Sequence, residues 1–153
     1  RQALGFRNIF GLAFHPGTGE LFLTDNGPSG RDELNIVRRG ANYGWPIVMG
    51  RAGDGRFVDP IWESGSRSTA PTGLAVYWAD ALPFRGDLFF CTYLGRRLLR
   101  VPARQLEEVR AGARETVEPQ DAGYPCQLDV KQAPDGSLYF SDTENIYRLR
   151  PGP

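Results

Sequence analysis

The sequence predicts an all-β protein made of β-propeller blades, each of them a small antiparallel sheet. Three segments share one template, and they begin at Gly11, Gly73 and Gln127. In each, a short apolar strand leads through a turn with Gly and Pro or Asp into a second strand, "ELFLTD", "DLFFCT" or "SLYFSD". Short strands at regular spacing, with Gly-rich turns and aromatic second strands, favour a propeller over a β-sandwich.

Each blade is predicted as four antiparallel strands, because strand-forming segments and hairpin turns recur in the same order. The first blade, Arg1–Arg56, contains "GLAF", the turn "PGTGE", "ELFLTD" and "LNIVRR". The second, Phe57–Glu108, contains "GLAVYW", the turn "FRGD", "DLFFCT" and "RLLRVP". The third, Val109–Pro153, contains "QLDV", the turn "PDGS", "SLYFSD" and "IYRLR". The turns supply the Gly and Pro residues that hairpin reversals need.

Helical signal is weak, and the template spacing indicates a partial propeller. Only "ARQLEEVRAG", Ala103–Gly112, has a pattern that fits a short helix, and a loop fits it equally well. We assign residues 1–153 to a single domain. The templates start about 55 to 62 residues apart, which exceeds the common blade repeats of about 40 to 50 residues and implies insertions. Since propellers have about four to eight blades, three blades make roughly half of one.

Composition excludes several classes of protein. Apolar residues make up 41% of the 153 residues, charged residues 24%, and the formal net charge is zero. This balance argues against disorder and against nucleic-acid binding, which needs a clustered excess of basic residues. No run of about 18 apolar residues occurs, so the sequence predicts no membrane span. The segment "RQALGFRNIF" also lacks the pattern of a signal peptide.

The two cysteines, Cys91 and Cys126, form neither a metal-binding spacing nor a disulfide framework. We expect two buried free thiols, and a single bridge between them is the alternative.

The stretch "TDNGPSGRDELN", Thr24–Asn35, has the chemistry of a calcium-binding loop. Asp25, Asp32 and Glu33 lie beside a Gly27-Pro28 bend. Ca²⁺ takes about six to eight oxygen ligands, and carboxylates and main-chain carbonyls both suit it. Because Pro has a fixed φ and no N–H, a Gly-Pro bend can turn two successive carbonyls toward one point. A solvated hairpin loop without an ion is the alternative.

The segment "GFRNIFGLAFHPGTGELFLTDNGPSGRDELNIVRRGANYGWP", Gly5–Pro46, closely resembles the soluble quinoprotein sugar dehydrogenases. This family comprises the PQQ-dependent glucose, aldose and sorbosone dehydrogenases, which are six-bladed propellers. Arg-Asn, Gly-Leu-Ala-Phe, Gly-Pro, Asp-Glu-Leu-Asn and Asn-Tyr-Gly-Trp-Pro occur in the family's order and spacing. "APTGLAVY" and "LDVKQAPDGSLYFSD" extend the resemblance more loosely. It covers nearly the whole chain but only the C-terminal half of the family's domain.

The resemblance implies specific cofactor-binding residues. The carbonyls of Gly27 and Pro28 match those that hold the Ca²⁺ bound to PQQ. Glu33 and the carbonyl of Tyr43 match the ligands of a second, structural Ca²⁺. The resemblance also implies that the pair Arg7-Asn8 faces the cofactor. Arg pairs with carboxylates, of which PQQ has three, through a planar fork, and Asn offers a donor and an acceptor to a quinone oxygen.

Two departures from the family pattern affect catalysis and PQQ affinity. The family's general base is a His from an earlier blade, whereas the only histidine here, His15, lies in the turn "FHPGTG" and matches no catalytic position. Some glucose-oxidising members also hold PQQ with a Lys and two Arg. In the corresponding stretches, "CTYLGRR" and "YPCQLDV", Leu94 or Gly95, Cys126 and Leu128 occupy those places. The resemblance therefore implies weakened PQQ affinity.

Two functions are compatible with these residues. The first is part of a PQQ- and Ca²⁺-dependent sugar dehydrogenase that oxidises an aldose and passes electrons to an external acceptor. The second is a non-catalytic, calcium-stabilised propeller module that binds a ligand or partner. A homodimer could close a six-bladed ring, or a missing N-terminal half could supply the other blades. The family resemblance implies a periplasmic or extracellular location.

Overall fold

The computed structural model describes residues 1–152 and consists of three antiparallel sheets and one short helix. The first sheet contains β1 (Ile9–Phe14), β2 (Leu21–Asp25), β3 (Glu33–Val37) and β4 (Trp62–Glu63). The second contains β5 (Pro71–Val76), β6 (Leu88–Thr92), β7 (Arg97–Val101) and β8 (Gln120–Asp121). The third contains β9 (Val130–Gln132), β10 (Leu138–Ser141) and β11 (Ile146–Leu149), and α1 spans Ala103–Arg110.

The sheets are β-propeller blades, which confirms the predicted fold class. Within each sheet the strands follow one another in chain order, and every pair is antiparallel. The first strands of the sheets lie side by side, since β1 contacts β5 and β5 contacts β9. No helix among residues 1–152 is long and apolar enough to cross a membrane.

The predicted blade boundaries at Arg56 and Glu108 are wrong. β4 and β8 each follow a long loop and fall beyond these positions, so the first sheet extends to Glu63 and the second to Asp121. The third sheet has three strands within residues 1–152 rather than the predicted four. β4 and β8 are two residues long, and such short strands have no alternating apolar pattern by which a sequence could reveal them.

The middle sheet is buried on both faces because alternate side chains point to opposite sides of a strand. One face packs against the first sheet, and the other packs against the third. Facing the first sheet are Leu74, Val76, Leu88 and Phe90. Facing the third are Ala75, Tyr77, Phe89 and Cys91. Every residue of β5 and β6 is buried.

Cys91 and Cys126 form a disulfide, with their Cα atoms 5.0 Å apart. The expectation of two free thiols is therefore wrong. Both cysteines are fully buried, as expected. Cys91 lies in β6 and Cys126 lies before β9, and a sequence separation of 35 residues does not reveal their proximity. The bond ties β6 to the segment that precedes β9.

Buried threonines join the three blades near their innermost strands. The Thr24 hydroxyl accepts a hydrogen bond from the Gly11 N–H (2.9 Å) and donates to the Thr72 carbonyl of the second sheet (2.7 Å). The Thr72 hydroxyl in turn donates to the Gln127 carbonyl, which leads into the third sheet (2.7 Å). These bonds fix the end of β2, where the candidate site begins.

Candidate functional site

The candidate site is a small cavity where β2 ends, between the segment before β1 and the loop after β3. Its volume is about 10 Å³, which is close to the space that one water molecule or ion occupies. Four of the predicted site residues line it: Arg7, Gly27, Glu33 and Tyr43. The other two, Asn8 and Pro28, are exposed and lie outside its lining. The remaining lining residues are Gly5, Asp25, Asn26, Arg31, Trp45, Val48 and Met49.

Asp25, the last residue of β2, fixes the main chain of Arg7 and Asn8. One carboxylate oxygen accepts the Arg7 N–H (2.9 Å), and the other accepts the Asn8 N–H (2.6 Å). Burial raises the pKa of Asp25, while these two hydrogen bonds and the Arg7 charge oppose the rise. The predicted cofactor-facing pair is thus anchored through its backbone.

The Arg7 side chain reaches over the rim of the cavity. Its Nη1 donates to the Asn26 carbonyl (3.0 Å) and to the Gly27 carbonyl (3.2 Å). The guanidinium also lies over the Trp45 ring, with Cζ 5.6 Å from the ring centroid. The Gly27 carbonyl, predicted as a calcium ligand, therefore accepts a hydrogen bond from a positively charged side chain.

Asp32 holds the Gly27-Pro28 bend to the second sheet. Its fully buried carboxylate accepts the N–H groups of Gly27 (3.0 Å), Thr69 (2.6 Å) and Ala70 (2.9 Å), together with the Ser68 hydroxyl (3.0 Å). The bend also needs glycine, because a Cβ on Gly27 would collide with the Gly30 carbonyl oxygen.

The loop acids therefore differ from one another in what they can bind. The sequence suggested Asp25, Asp32 and Glu33 together as a cation site. The structure instead uses both oxygens of Asp25 and of Asp32 for main-chain N–H groups. Hydrogen-bond partners of this kind depend on the folded position of distant segments, which the loop sequence does not contain.

Glu33 is the buried carboxylate that faces the cavity. One oxygen accepts the Gly50 N–H (2.8 Å), and the other accepts the Asn35 side-chain amide (2.9 Å). Burial raises the pKa of Glu33; the negative charges of Asp25 and Glu63 add to the rise, and the two hydrogen bonds oppose it. A cation in the cavity would favour the ionised form of this group.

Tyr43 can offer only its carbonyl to a cation. Its hydroxyl donates to the Ile36 carbonyl (2.6 Å) and accepts the Arg38 N–H (2.9 Å), and its ring stacks on Phe6 at 4.4 Å. The phenol thus serves to position the loop after β3 against that strand, and it leaves the predicted ligand, the main-chain carbonyl, near the cavity.

A buried oxygen without a hydrogen-bond partner lies in the cavity wall. The Asn26 side chain is 8% exposed, and its Oδ1 accepts no hydrogen bond. The fully buried Asn35 Oδ1, next to Glu33, is also without a partner. No cluster of three or more His, Cys, Asp and Glu side chains within residues 1–152 has a metal-binding arrangement. The oxygens available at the cavity are those of Glu33, Asn26 and main-chain carbonyls, which suit a hard cation such as Ca²⁺.

Sequence reasoning missed Asn26, Trp45 and Gly50 as parts of this site. Asn26 directly precedes the Gly27-Pro28 bend, so its position in the sequence could have identified it as a site residue. Trp45 is half-buried and lies under Arg7. Gly50 contributes a main-chain N–H to Glu33, and the loop sequence gives no signal for such a contact.

His15 lies at the opposite end of β1 and β2 from Arg7 and Asp25. Its Nδ1 accepts the N–H groups of Gly17 (3.1 Å) and Thr18 (3.2 Å), and its ring contacts Trp78 edge-on at 4.9 Å. Burial lowers the pKa of His15, and the Arg110 charge lowers it further. The imidazole therefore stabilises a hairpin turn, as its place in the sequence suggested.

Residues 2–149 match the sequence profile of a family described as glucose/sorbosone dehydrogenase. The chain is 30% identical over 160 residues to the aldose sugar dehydrogenase YliI of Escherichia coli K12, covering 95% of this chain and 41% of that protein. It is 46% identical over 55 residues to quinoprotein glucose dehydrogenase B of Acinetobacter calcoaceticus, covering 36% of this chain and 11% of that protein.

Solved structures show the same likeness. The soluble aldose sugar dehydrogenase of Escherichia coli in its apo form is 25% identical with a TM-score of 0.76, covering 97% of this chain and 46% of that chain. The PQQ-bound aldose sugar dehydrogenase of Streptomyces coelicolor is 28% identical with a TM-score of 0.70, covering 93% of this chain and 39% of that one. The chain thus spans less than half the length of these relatives.

Proposed function

Because the chain belongs to the glucose/sorbosone dehydrogenase family, we propose that it forms part of a PQQ- and calcium-dependent sugar dehydrogenase. Its substrate would be an aldose, and an external acceptor would take the electrons. The observation that carries this proposal is the cavity that brings Arg7, Gly27, Glu33 and Tyr43 together. In such an enzyme, the oxygens of Gly27, Glu33 and Tyr43 would hold a cation. The charge of Arg7 would bind the anionic cofactor beside it.

Calcium is the cation that the donor set fits. The carbonyls of Gly27 and Pro28 would hold the ion next to the cofactor, and Glu33 and the Tyr43 carbonyl would hold a structural ion. Gly27, Glu33 and Tyr43 border the same cavity, so these two positions would be neighbours. The unpartnered Asn26 Oδ1 and the buried Glu33 carboxylate support an oxygen-liganded cation here.

PQQ is the cofactor that Arg7 and Asn8 suit. Asp25 anchors their main chain, so the guanidinium fork of Arg7 and the amide of Asn8 extend from a fixed point toward a carboxylate or a quinone oxygen. Bound together, calcium and PQQ would supply a polarised quinone carbonyl that accepts hydride from the sugar. The absence of the Lys and two Arg used by some family members makes weak PQQ affinity part of this proposal.

A second candidate function is a non-catalytic, calcium-stabilised propeller module. The position of His15, the chain's only histidine, favours it for this chain alone, because the imidazole binds a hairpin turn away from the cavity. A dehydrogenase without a base at the substrate hydroxyl loses about 10² to 10⁴ in rate. The base of the parent enzyme would then come from blades outside residues 1–153.

Calcium and PQQ titrations of the purified chain test the proposal. We expect calorimetry to detect Ca²⁺ binding, and we expect Glu33→Gln to weaken it. Thermal unfolding should show a rise in Tm with Ca²⁺ that is smaller in Glu33→Gln, because a ligand stabilises the folded state in proportion to its occupancy. A matched control is Glu144→Gln, which changes an exposed carboxylate in the turn between β10 and β11. Absence of Ca²⁺ binding to the native chain would refute the calcium part.

Activity is tested by dye reduction with several aldoses in the presence of PQQ and Ca²⁺. We expect little or no turnover by the 153-residue chain, since His15 binds a hairpin turn away from the cavity and the chain covers only 41% of the aldose sugar dehydrogenase YliI. Robust turnover would contradict this expectation and would return His15 to consideration as a base.

A further inference from the structure

The Gly27 carbonyl has two competing cationic partners, Arg7 and the proposed Ca²⁺. We propose that Arg7 is a built-in competitor of calcium, which occupies the Gly27 carbonyl when the ion is absent and is displaced toward the anionic cofactor when the ion binds. This inference rests on the proposed function and adds a coupling between its two ligands.

The hydrogen bonds of Arg7 carry the first step of the argument. Its Nη1 donates to the carbonyls of Asn26 (3.0 Å) and Gly27 (3.2 Å), so the positive charge lies directly against an oxygen assigned to the ion. A dication on the same oxygen would stand within a few ångströms of the guanidinium, where like charges repel strongly. The two cations therefore exclude one another at this carbonyl.

The anchoring of Arg7 allows its side chain to move without disturbing the fold. The Asp25 carboxylate holds the Arg7 N–H, so the main chain is fixed, whereas the residue as a whole is exposed. Within residues 1–152, the guanidinium is restrained by the two carbonyl contacts and the Trp45 ring alone. Displacement thus needs only side-chain rotation.

Arg31, the second arginine in the lining, does not have this freedom. Its Nη1 forms an ion pair with Glu63 (2.9 Å), so its charge is already balanced. Arg7 has no carboxylate salt bridge of this kind within residues 1–152, and it faces main-chain oxygens instead.

The consequence is reciprocal coupling between calcium and the anionic cofactor. Calcium frees the guanidinium to pair with a carboxylate, and a bound anion that draws Arg7 away removes the competitor of calcium. Linkage requires each ligand to raise the affinity of the other by the same factor. Removal of the Arg7 charge should therefore change the two affinities in opposite directions.

Calorimetric Ca²⁺ titrations, with the metal alone, test this inference on the wild-type chain and three variants. We expect Arg7→Gln to bind Ca²⁺ roughly tenfold more tightly, a change equivalent to about one charge-assisted hydrogen bond. Arg7→Lys keeps a tethered cation and should remain near wild type. Arg67→Gln removes the same charge from an exposed position outside the cavity and should leave the Ca²⁺ affinity unchanged.

PQQ titration followed by fluorescence tests the opposite change, a loss of affinity for the cofactor. Arg7→Gln should weaken PQQ binding roughly tenfold, whereas a merely structural role of Arg7 would weaken both ligands together. Nitrogen-15 spectra of the wild-type guanidinium provide a readout without substitution, and the Arg7 side-chain resonances should shift on addition of Ca²⁺.

The outcomes separate this inference from the proposed function. If wild type binds Ca²⁺ and Arg7→Gln binds it equally tightly or more weakly, the competition is overturned. The proposed calcium site would still stand. Unchanged Arg7 resonances at saturating Ca²⁺ would overturn the competition as well. If neither wild type nor any variant binds Ca²⁺, the proposed calcium site itself fails, and the competition fails with it.

Discussion

Asp25 and Asp32 bind main-chain N–H groups on either side of the Gly27-Pro28 bend, and this determines the shape of the cavity. Asp25 fixes the segment that carries Arg7, and Asp32 fixes Gly27 to the start of the second sheet. Their negative charges are compensated by oriented amides, so they remain part of the scaffold. Burial raises the pKa of Glu33, the buried acid that we propose as a calcium ligand.

Asp32→Ala should strongly destabilise the chain. The substitution leaves the partly buried N–H groups of Gly27, Thr69 and Ala70 without their acceptor, and a buried donor that loses its partner costs about 1 to 3 kcal/mol. We expect the free energy of unfolding in urea to fall by about 3 kcal/mol or more. The control Asp80→Ala, whose carboxylate forms an exposed pair with Arg85, should change it by less than about 1 kcal/mol. Equal effects of the two substitutions would contradict the scaffold role.

Glu33 should make the calcium-free chain less stable as pH rises. Its folded-state pKa is raised above the unfolded value near 4.5, so between these two pKa values the folded state binds more protons than the unfolded state. The free energy of unfolding therefore falls as pH increases through this window. Thermal unfolding from pH 4 upward should show a smaller decline of Tm in Glu33→Gln than in wild type. Saturating Ca²⁺ should suppress the decline in wild type, and identical profiles for both chains would speak against the effect.

The sequence predicts the site residues better than it predicts their contacts. Gly27 and Glu33 were proposed from the loop Thr24–Asn35, because ligand chemistry and bend geometry are local properties. Tyr43 was proposed from the family resemblance alone. The contact between Arg7 and the Gly27 carbonyl was not predicted, since it joins segments that only the pairing of β1 with β2 brings together. The exposure of Asn8 and Pro28 likewise depends on which neighbouring segments cover the loop.

At the level of secondary-structure elements, the long strands follow the sequence pattern and the short ones do not. β2, β6 and β10 coincide with the predicted second strands, and α1 lies within the segment given as helix or loop. β4 and β8 depend on pairing with β3 and β7 at the far end of long loops. Their positions are set by tertiary contacts, so neither propensity nor periodicity could locate them.

The disulfide between β6 and the segment before β9 should contribute substantially to stability. The bonded cysteines are 35 residues apart, and closing a loop of this size in the unfolded chain corresponds to about 4 kcal/mol on the chain-entropy model. Urea unfolding should therefore shift to lower concentration when the native chain is reduced with dithiothreitol. The double variant Cys91→Ala/Cys126→Ala serves as the control, because dithiothreitol should not change its midpoint. A native chain insensitive to reductant would contradict the prediction.

For the whole molecule, the outer faces of the first and third sheets remain open. Alternate residues of β1 carry Phe10, Leu12 and Phe14, which are 58 to 67% exposed, and Ile146 of β11 is 79% exposed. Monomers rarely expose contiguous apolar patches above a few hundred Å². These faces match the terminal faces expected of a three-blade wedge.

Light scattering on the purified chain tests what covers these faces. A homodimer would support the closure of a six-bladed ring by two copies, since isologous pairing is the commonest oligomer geometry. An aggregate would point instead to a missing half of the propeller, and a soluble, stable monomer would rule out dimeric closure. Leu12→Glu should dissociate such a dimer, because it would bury an unpaired charge in the interface. The control Glu144→Gln, at an exposed position in the turn between β10 and β11, should leave such a dimer intact.

The burial of the middle sheet on both faces has a consequence for how the protein opens. Amides of β6 are covered by packed side chains from both neighbouring blades, so exchange of their hydrogens with solvent requires all three blades to separate. Amides of β1 and β11 belong to sheets with one open face and can exchange through local fraying. We therefore expect the middle blade to exchange most slowly, so that its protection would report the cooperative unfolding of the chain.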